Sequence, residues 1–407
     1  MLKEYFNWKK SRSVGAKAVK RLRAVVNGVS RKARGVLVMA IAMLMAVSLA
    51  ACGNGGSGDA STTVPESQPP AAAPASAKAE EPSGDAGAPD SGDIVVYTAL
   101  EDEQVTEYLD VFNSHFPDIK VNIVRDSTGI ITAKLLAEKD NPQADLVWGT
   151  AASSMMVLDS EDMLEGYAPA GVDRILPQFK SGKGEPAWVG IDAWETAIVV
   201  NTVEFAKTGA GPISSYEDLL QPELKDCIVM SNPASSGTGL LTVAGVLQLK
   251  GKDTDAGWDF LDQLNENVAM YVHSGSKPAK MAGAGETTIG ISFGYAGIKQ
   301  IRDGAPVEVI FPAEGSGWDL ESNALMKKDG IKAASKTFLD WAISDEAMDL
   351  YKANYPIIAT GQGGKYEGFD GDPVDQLIDN DFVWVSGNRE SILDKWTQRY
   401  DGKSEPK

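Results

Sequence analysis

The sequence predicts an α/β protein of two lobes joined by two extended crossings. Three observations carry that prediction. From Asp93 onward, short apolar strands alternate with helical patterns, which is the signature of an open sheet with parallel strands. A second unit of the same kind runs from Ile228 to Phe311. Two long extended segments, residues 186–202 and 317–326, flank that second unit and are long enough to pass between lobes.

The chain opens with a basic stretch, residues 1–34. Val36 to Ala51 are then continuously apolar or small, and these sixteen residues are short for a membrane span but right for a signal-peptide core. Leu49-Ala50-Ala51-Cys52 closes the run and resembles a bacterial lipobox, in which the signal (residues 1–51) is removed and Cys52 is lipidated. The alternative is an uncleaved signal anchor. Residues 52–92 are rich in Gly, Ser, Ala, Pro and acids, a composition that cannot bury enough apolar surface to offset its ordering entropy. This is expected to be a disordered tether reaching about 35 Å.

The body starts with a strand at Asp93–Ala99 and a helical pattern through Val105, Tyr108, Leu109, Phe112 and Phe116 that Pro117 stops. A strand at Lys120–Arg125, a helix through Ile130, Leu135 and Leu136, and a strand at Ala144–Trp148 follow. On open α/β sheets, ligands sit beyond the carboxyl ends of the strands. Those ends read Tyr97-Thr98-Ala99, Ser127-Thr128-Gly129 and Gly149-Thr150-Ala151, all small, polar and hydroxyl-bearing. Three such ends in register predict the lining of a cleft.

The first crossing carries Asp192, Trp194 and Glu195. The second unit begins with a strand at Ile228–Met230, a turn of small residues (Ala234-Ser235-Ser236-Gly237-Thr238-Gly239) and an apolar helix through Leu247. The first N–H groups of a helix lack internal partners and lie at the positive end of its dipole, so strand, small turn and helix make an anion site. The spacing is neither a P-loop nor GxGxxG. The same stretch also reads as an N-capped helix with nothing bound. Helices at 257–265, 278–284 and 296–303 alternate with strands at 268–272, 288–293 and 307–311. After the second crossing the chain is helical (333–343, 345–354, 391–400) and is expected to pack back on the first lobe. The expected division is therefore 93–198 with 320–407 for lobe 1, and 199–319 for lobe 2.

Charge and composition narrow the function. The net charge is −19, and since residues 1–51 carry eleven Lys/Arg against one acid, the remainder stands at −29. So acidic a body argues against nucleic acid. Two cysteines and two histidines supply no disulfide framework and no zinc spacing, so no metal and no cofactor are expected. No GxSxG elbow occurs, and Glu101-Asp102 reads as a solvated helix start, so an enzyme is not expected. A lipoprotein adhesin or scaffold is a further class, but it has no need of three polar strand ends.

Two lobes, two crossings and a lipid tether resemble the extracellular solute-binding proteins of ABC importers with the type 2 periplasmic-binding-protein fold. DIVVYTALEDEQV, ADLVWGTAASSM, ETAIVVNT, SNPASSGTGLL and GISFGYAGIKQIRDGAPVEVIFPAEGSGWDLESNALMK carry the resemblance. Asp126-Ser127-Thr128-Gly129, the 235–239 turn and Ser292-Phe293-Gly294-Tyr295 are similar to the 2-aminoethylphosphonate-binding branch. The ferric-binding branch, the alternative, uses adjacent tyrosines; here Tyr295 is followed by Ala296. Polyamine and thiamine binders are weaker alternatives.

The resemblance implies a monomer at the extracytoplasmic face of the cell membrane, serving a permease. Its cleft takes a small anionic solute, best matched by 2-aminoethylphosphonate or a related phosphonate or phosphate ester. Ser235, Ser236, Gly237 and Thr238 are expected to hold the oxyanion from one lobe. Thr98, Ala99, Ser127, Thr128, Gly129, Thr150 and Ala151 form the other wall, with no arginine expected. Lys277 offers a charge or is a solvated surface lysine. Tyr97, Trp148, Trp194 and Tyr295 face an ammonium tail or pack in the core; Asp192 and Glu195 are carboxylate candidates for the same tail.

Overall fold

The computed structural model describes residues 91–406 apart from 183, 253, 362 and 367–373. The expected signal peptide, Cys52 and nearly all of the tether lie outside the described residues.

In chain order the first unit contains β1 (Gly92–Thr98), α1 (Asp102–His115), β2 (Ile119–Arg125), α2 (Thr128–Ala137), β3 (Leu146–Ala151), α3 (Ala152–Ser160) and the short β4 (Leu164–Glu165). The first crossing is β5 (Val189–Asn201), thirteen buried residues, leading into the single turn α4 (Thr202–Phe205). The second unit contains β6 (Ile228–Ser231), α5 (Gly237–Leu249), α6 (Ala256–Asn267), β7 (Val268–Val272), α7 (Lys277–Ala284), β8 (Ile289–Phe293), α8 (Gly294–Arg302) and β9 (Val307–Ile310). The return crossing is β10 (Trp318–Met326), followed by α9 (Ala333–Trp341), α10 (Asp345–Asn354), β11 (Ile357–Ile358) and α11 (Phe382–Tyr400).

The strands are ordered β2-β1-β3-β10-β5-β8-β6-β7, with β4, β9 and β11 attached at the side. β1 pairs parallel with β2 and β3, and β6 pairs parallel with β7 and β8, as the alternating pattern predicts. The crossings differ: β10 runs antiparallel to both β3 and β5, and β5 antiparallel to β8. Thirteen residues at about 3.3 Å each span roughly 43 Å. β5 is thus long enough to pair with β10 through its first half and with β8 and β9 through its second.

Two large hydrophobic cores form, and a smaller cluster gathers Trp194, Phe293, Tyr295 and Tyr355. The first gathers Tyr108, Phe112, Trp148, Phe338 and Trp341, and the second Leu219, Trp258, Leu264, Tyr271 and Trp396. The last helix touches both sides of the expected division. α9 and α10 do bury Phe338, Trp341 and Tyr351 in the first core. α11 lies against α3 of the first unit, starts with Phe382 edge-on to Trp318, at 4.9 Å, and ends with Trp396 edge-on to Tyr271 of the second, also at 4.9 Å. Its nineteen residues cover about 28 Å, enough to run from the crossing to the second core. Tyr400 and Arg399 fasten its end to Asp262 at 2.6 and 2.9 Å.

Candidate functional site

The strand ends and the small-residue turn meet in one open cleft, about 420 Å³ when its solvent mouth is included. One wall is built by Ala99 after β1, by Arg125, Ser127 and Thr128 after β2, and by Gly149 in β3. The opposite wall is Ser236, Gly237 and Thr238 at the start of α5, with Gly275 and Phe293. Trp194 and Glu321 enter from the two crossings, and Glu101 from the cap of α1. A second concavity, of about 250 Å³, lies between Tyr167, Trp188 and Leu339 and collects none of these strand ends.

Local sequence explains the donors. Ser236 is in extended conformation at the N-cap of α5, and its hydroxyl accepts from Gly239 N–H at 3.3 Å. That leaves the N–H groups of Gly237 and Thr238 at the helix start without a partner inside the helix. Ser127 holds the matching cap position of α2. The walls touch: Gly129 N–H donates to the Ser235 carbonyl at 2.9 Å, and a Cβ on Gly237 would stand 2.8 Å from Thr128 Oγ1. Lys280 Nζ, on the second side, lies 3.4 Å from Glu101 Oε2 on the first.

Of the sequence-predicted residues, Ala99, Ser127, Thr128, Trp194, Ser236, Gly237 and Thr238 line the cleft. Gly129 and Ser235 bind each other across it, and the Ser235 hydroxyl sits 3.3 Å from His273 Nδ1. The others lie elsewhere. Tyr97 is buried with its hydroxyl on Glu138, and Thr98 Oγ1 accepts from Leu100 N–H. Trp148 is wholly buried against Tyr108, Phe338 and Trp341, its indole N–H donating to Tyr351 Oη at 3.2 Å. Thr150 and Ala151 are buried within β3. Tyr295 packs on Tyr355 at 5.6 Å, and Lys277 is ion-paired with Glu405. Successive side chains of a strand alternate between faces, so a residue at a strand end has an even chance of pointing away from the ligand side.

The cleft is not arginine-free. Arg125, the last residue of β2, lines it, with Nε donating to the Leu100 carbonyl at 2.9 Å and Nη2 at 3.3 Å from Glu101 Oε2. The carboxyl-end rule that singled out Ser127 applies equally to Arg125 two residues earlier. Glu321 was also not anticipated; only the β5–β10 register, which sets it opposite Asp192, brings it to the site.

Buried carboxyl groups collect where the crossings meet. Asp192 and Glu195 are fully buried and Asp319 and Glu321 nearly so. Burial pushes Glu195 and Glu321 up to about 8 and Asp319 up to about 6. Asp192 is held well above the usual carboxylate range by burial first and by the Glu321 charge second.

This fold and cleft define a two-lobed binding protein, and the chain belongs to the bacterial extracellular solute-binding proteins, whose family profile matches residues 107–360. Members of that family capture small solutes for ABC permeases and are transport components, not enzymes. An uncharacterised protein of Haemophilus influenzae is 30% identical over 332 residues, 78% of this chain and 92% of that one. A probable ABC transporter periplasmic-binding protein of Sinorhizobium fredii, y4fP, is 25% identical over 241 residues, 58% of this chain and 66% of its own. Among solved structures, the periplasmic binding protein AfuA of Actinobacillus pleuropneumoniae, with exogenous fructose-6-phosphate bound, superposes with a TM-score of 0.69 at 29% identity, over 76% of this chain and 98% of that one. Iron-bound HitA of Pseudomonas aeruginosa shares the fold, with a TM-score of 0.62 at 17% identity, over 74% and 98%. Among the described residues no helix is long and apolar enough to cross a membrane.

Proposed function

We propose that the protein is the membrane-tethered receptor of an ABC importer, lipidated at Cys52, and that its cleft captures a small organic phosphonate or phosphate ester. 2-Aminoethylphosphonate is the best single candidate. The reading divides the body into residues 93–198 with 320–407, and 199–319. The observation that carries it is the meeting of Arg125, Ser127 and Thr128 with the free helix start at Ser236–Thr238 in one cleft. Guanidinium, hydroxyl and helix N–H donors converging from two sides suit a tetrahedral oxyanion, and charge-assisted bonds of this kind contribute roughly 1.5–3 kcal/mol each before desolvation. The likeness to AfuA, whose structure holds fructose-6-phosphate, supports the same class.

A thermal-shift panel tests it, with 2-aminoethylphosphonate, phosphate, hexose phosphates, thiamine, spermidine and ferric citrate. A solute at 100 times its Kd adds about 2.7 kcal/mol of stability. A shift with a phosphonate or phosphate ester supports the reading; a shift with ferric citrate alone replaces it with iron capture. Cys52→Ser tests the anchor: the variant leaves the membrane fraction if the lipid holds it there.

A further inference from the structure

The oxyanion donors leave one part of the cleft unexplained. Glu321 lines it, is only 8% exposed, and has no hydrogen-bond partner for Oε2. Its Oε1 accepts from Tyr355 Oη at 3.3 Å. Asp192 lies directly opposite on β5 and meets the Glu321 carboxyl group, while the Tyr366 hydroxyl meets Glu195. Buried acceptors are normally satisfied, and a buried carboxylate without a partner is costly. Of this cluster Glu321 alone is on the cleft lining, so its unpartnered Oε2 is the acceptor that a ligand group can reach and satisfy.

We propose that Glu321, backed by Asp192, is the specificity determinant of the cleft and receives an ammonium group on the same solute whose oxyanion meets Arg125 and the α5 helix start. The inference rests on the oxyanion reading above and narrows it to zwitterionic aminoalkyl phosphonates or phosphate esters. A sugar hydroxyl would bond one oxygen of Glu321 and bring no charge to stabilise its carboxylate form. An ammonium brings three donors together with the compensating charge. Trp194, on the same cleft lining, adds an aromatic surface of the kind cations favour.

The groups facing Glu321 are Asp192 of β5, itself raised by Glu195, then Glu101 at the α1 cap and the phenols of Tyr108, Tyr351 and Tyr355. Arg125 is the cation on the same lining, and its guanidinium is paired with Glu101. With its carboxyl group pushed up by burial, Glu321 is largely protonated at neutral pH before the solute arrives. Docking of an ammonium favours the carboxylate, so the proton on Glu321 passes to solvent while the ammonium keeps its own.

The test is calorimetric titration of the intact protein and of Glu321→Gln with 2-aminoethylphosphonate, ethylphosphonate and fructose 6-phosphate. The wild type is expected to bind 2-aminoethylphosphonate about 10- to 100-fold more tightly than ethylphosphonate. Glu321→Gln is expected to erase that gap by weakening 2-aminoethylphosphonate toward the affinity of ethylphosphonate. Equal wild-type affinities for the two phosphonates, or tighter binding of fructose 6-phosphate, overturn the ammonium receptor and leave the oxyanion site standing; this comparison does not depend on the variant folding. A preference that persists in Glu321→Gln overturns the role of Glu321. Failure of all three probes to bind overturns both readings.

Discussion

Gly237 faces Thr128 across the cleft so closely that a methyl group on it would meet Thr128 Oγ1 at 2.8 Å and Cβ at 2.9 Å. Both residues sit at helix starts, one on each wall. The absence of a side chain at 237 therefore sets how far the walls approach. Gly237→Ala is expected to hold the cleft partly open. Solute affinity should fall at least tenfold while the unfolding midpoint of the unliganded protein changes little. Isothermal titration beside urea unfolding checks this, and unchanged affinity would show that the contact yields without opening the cleft.

Arg125 is the one arginine among the residues lining the cleft. Arg125→Ala should weaken a phosphonate or phosphate ester about 10- to 100-fold. Arg125→Lys should recover only part of that, since an ammonium cannot reproduce a planar fork of donors. If Arg125→Ala binds as the wild type does, the guanidinium serves only its pair with Glu101.

Much of this architecture is legible because the signals are local. Val268–Val272 reads as a strand since an apolar run is bounded by Asn267 and His273, and the structure has those bounds. The capping serine and small residues before Leu240 mark the start of α5 in the same way. What is not legible depends on distant partners. Ile392, Trp396 and Tyr400 announce that α11 has a buried face, but not which of two cores receives it. Glu321 looks like any acid in an extended segment until β10 pairs with β5 and sets it against Asp192. Trp148 at a strand end was equally compatible with ligand or core, because β3 is buried along its whole length.

Trp148 separates those two readings by experiment. It is wholly buried, ringed by Tyr108, Phe338 and Trp341, and spends its N–H on Tyr351. Trp148→Ala should cost about 3–5 kcal/mol of stability through lost contacts and the cavity left behind. At a temperature where the variant stays folded, solute affinity should match the wild type. A loss of affinity without a loss of stability would return Trp148 to the binding site.

The buried carboxyl groups predict how stability varies with pH. Glu195 and Glu321 titrate near 4.5 when unfolded and near 8 when folded, through burial. Between those values the folded state holds protons that the unfolded state has released, so stability falls as pH rises. The contribution is fully present below about 4.5 and is lost as pH passes through about 8, with each group adding at most about 1.4 kcal/mol per pH unit. Asp145 acts in the opposite sense. Burial raises it, but Lys332, the Val95 N–H and Lys328 together outweigh burial and hold it below the usual range. Its contribution is present above the ordinary aspartate value and is lost as pH falls through the depressed one. Urea midpoints of the unliganded protein should therefore decline from pH 5 to pH 8.5. Glu195→Gln, which keeps the shape and removes the titration, should flatten that decline. A Glu195→Gln profile as steep as the wild type would place the titrating group elsewhere than on Glu195.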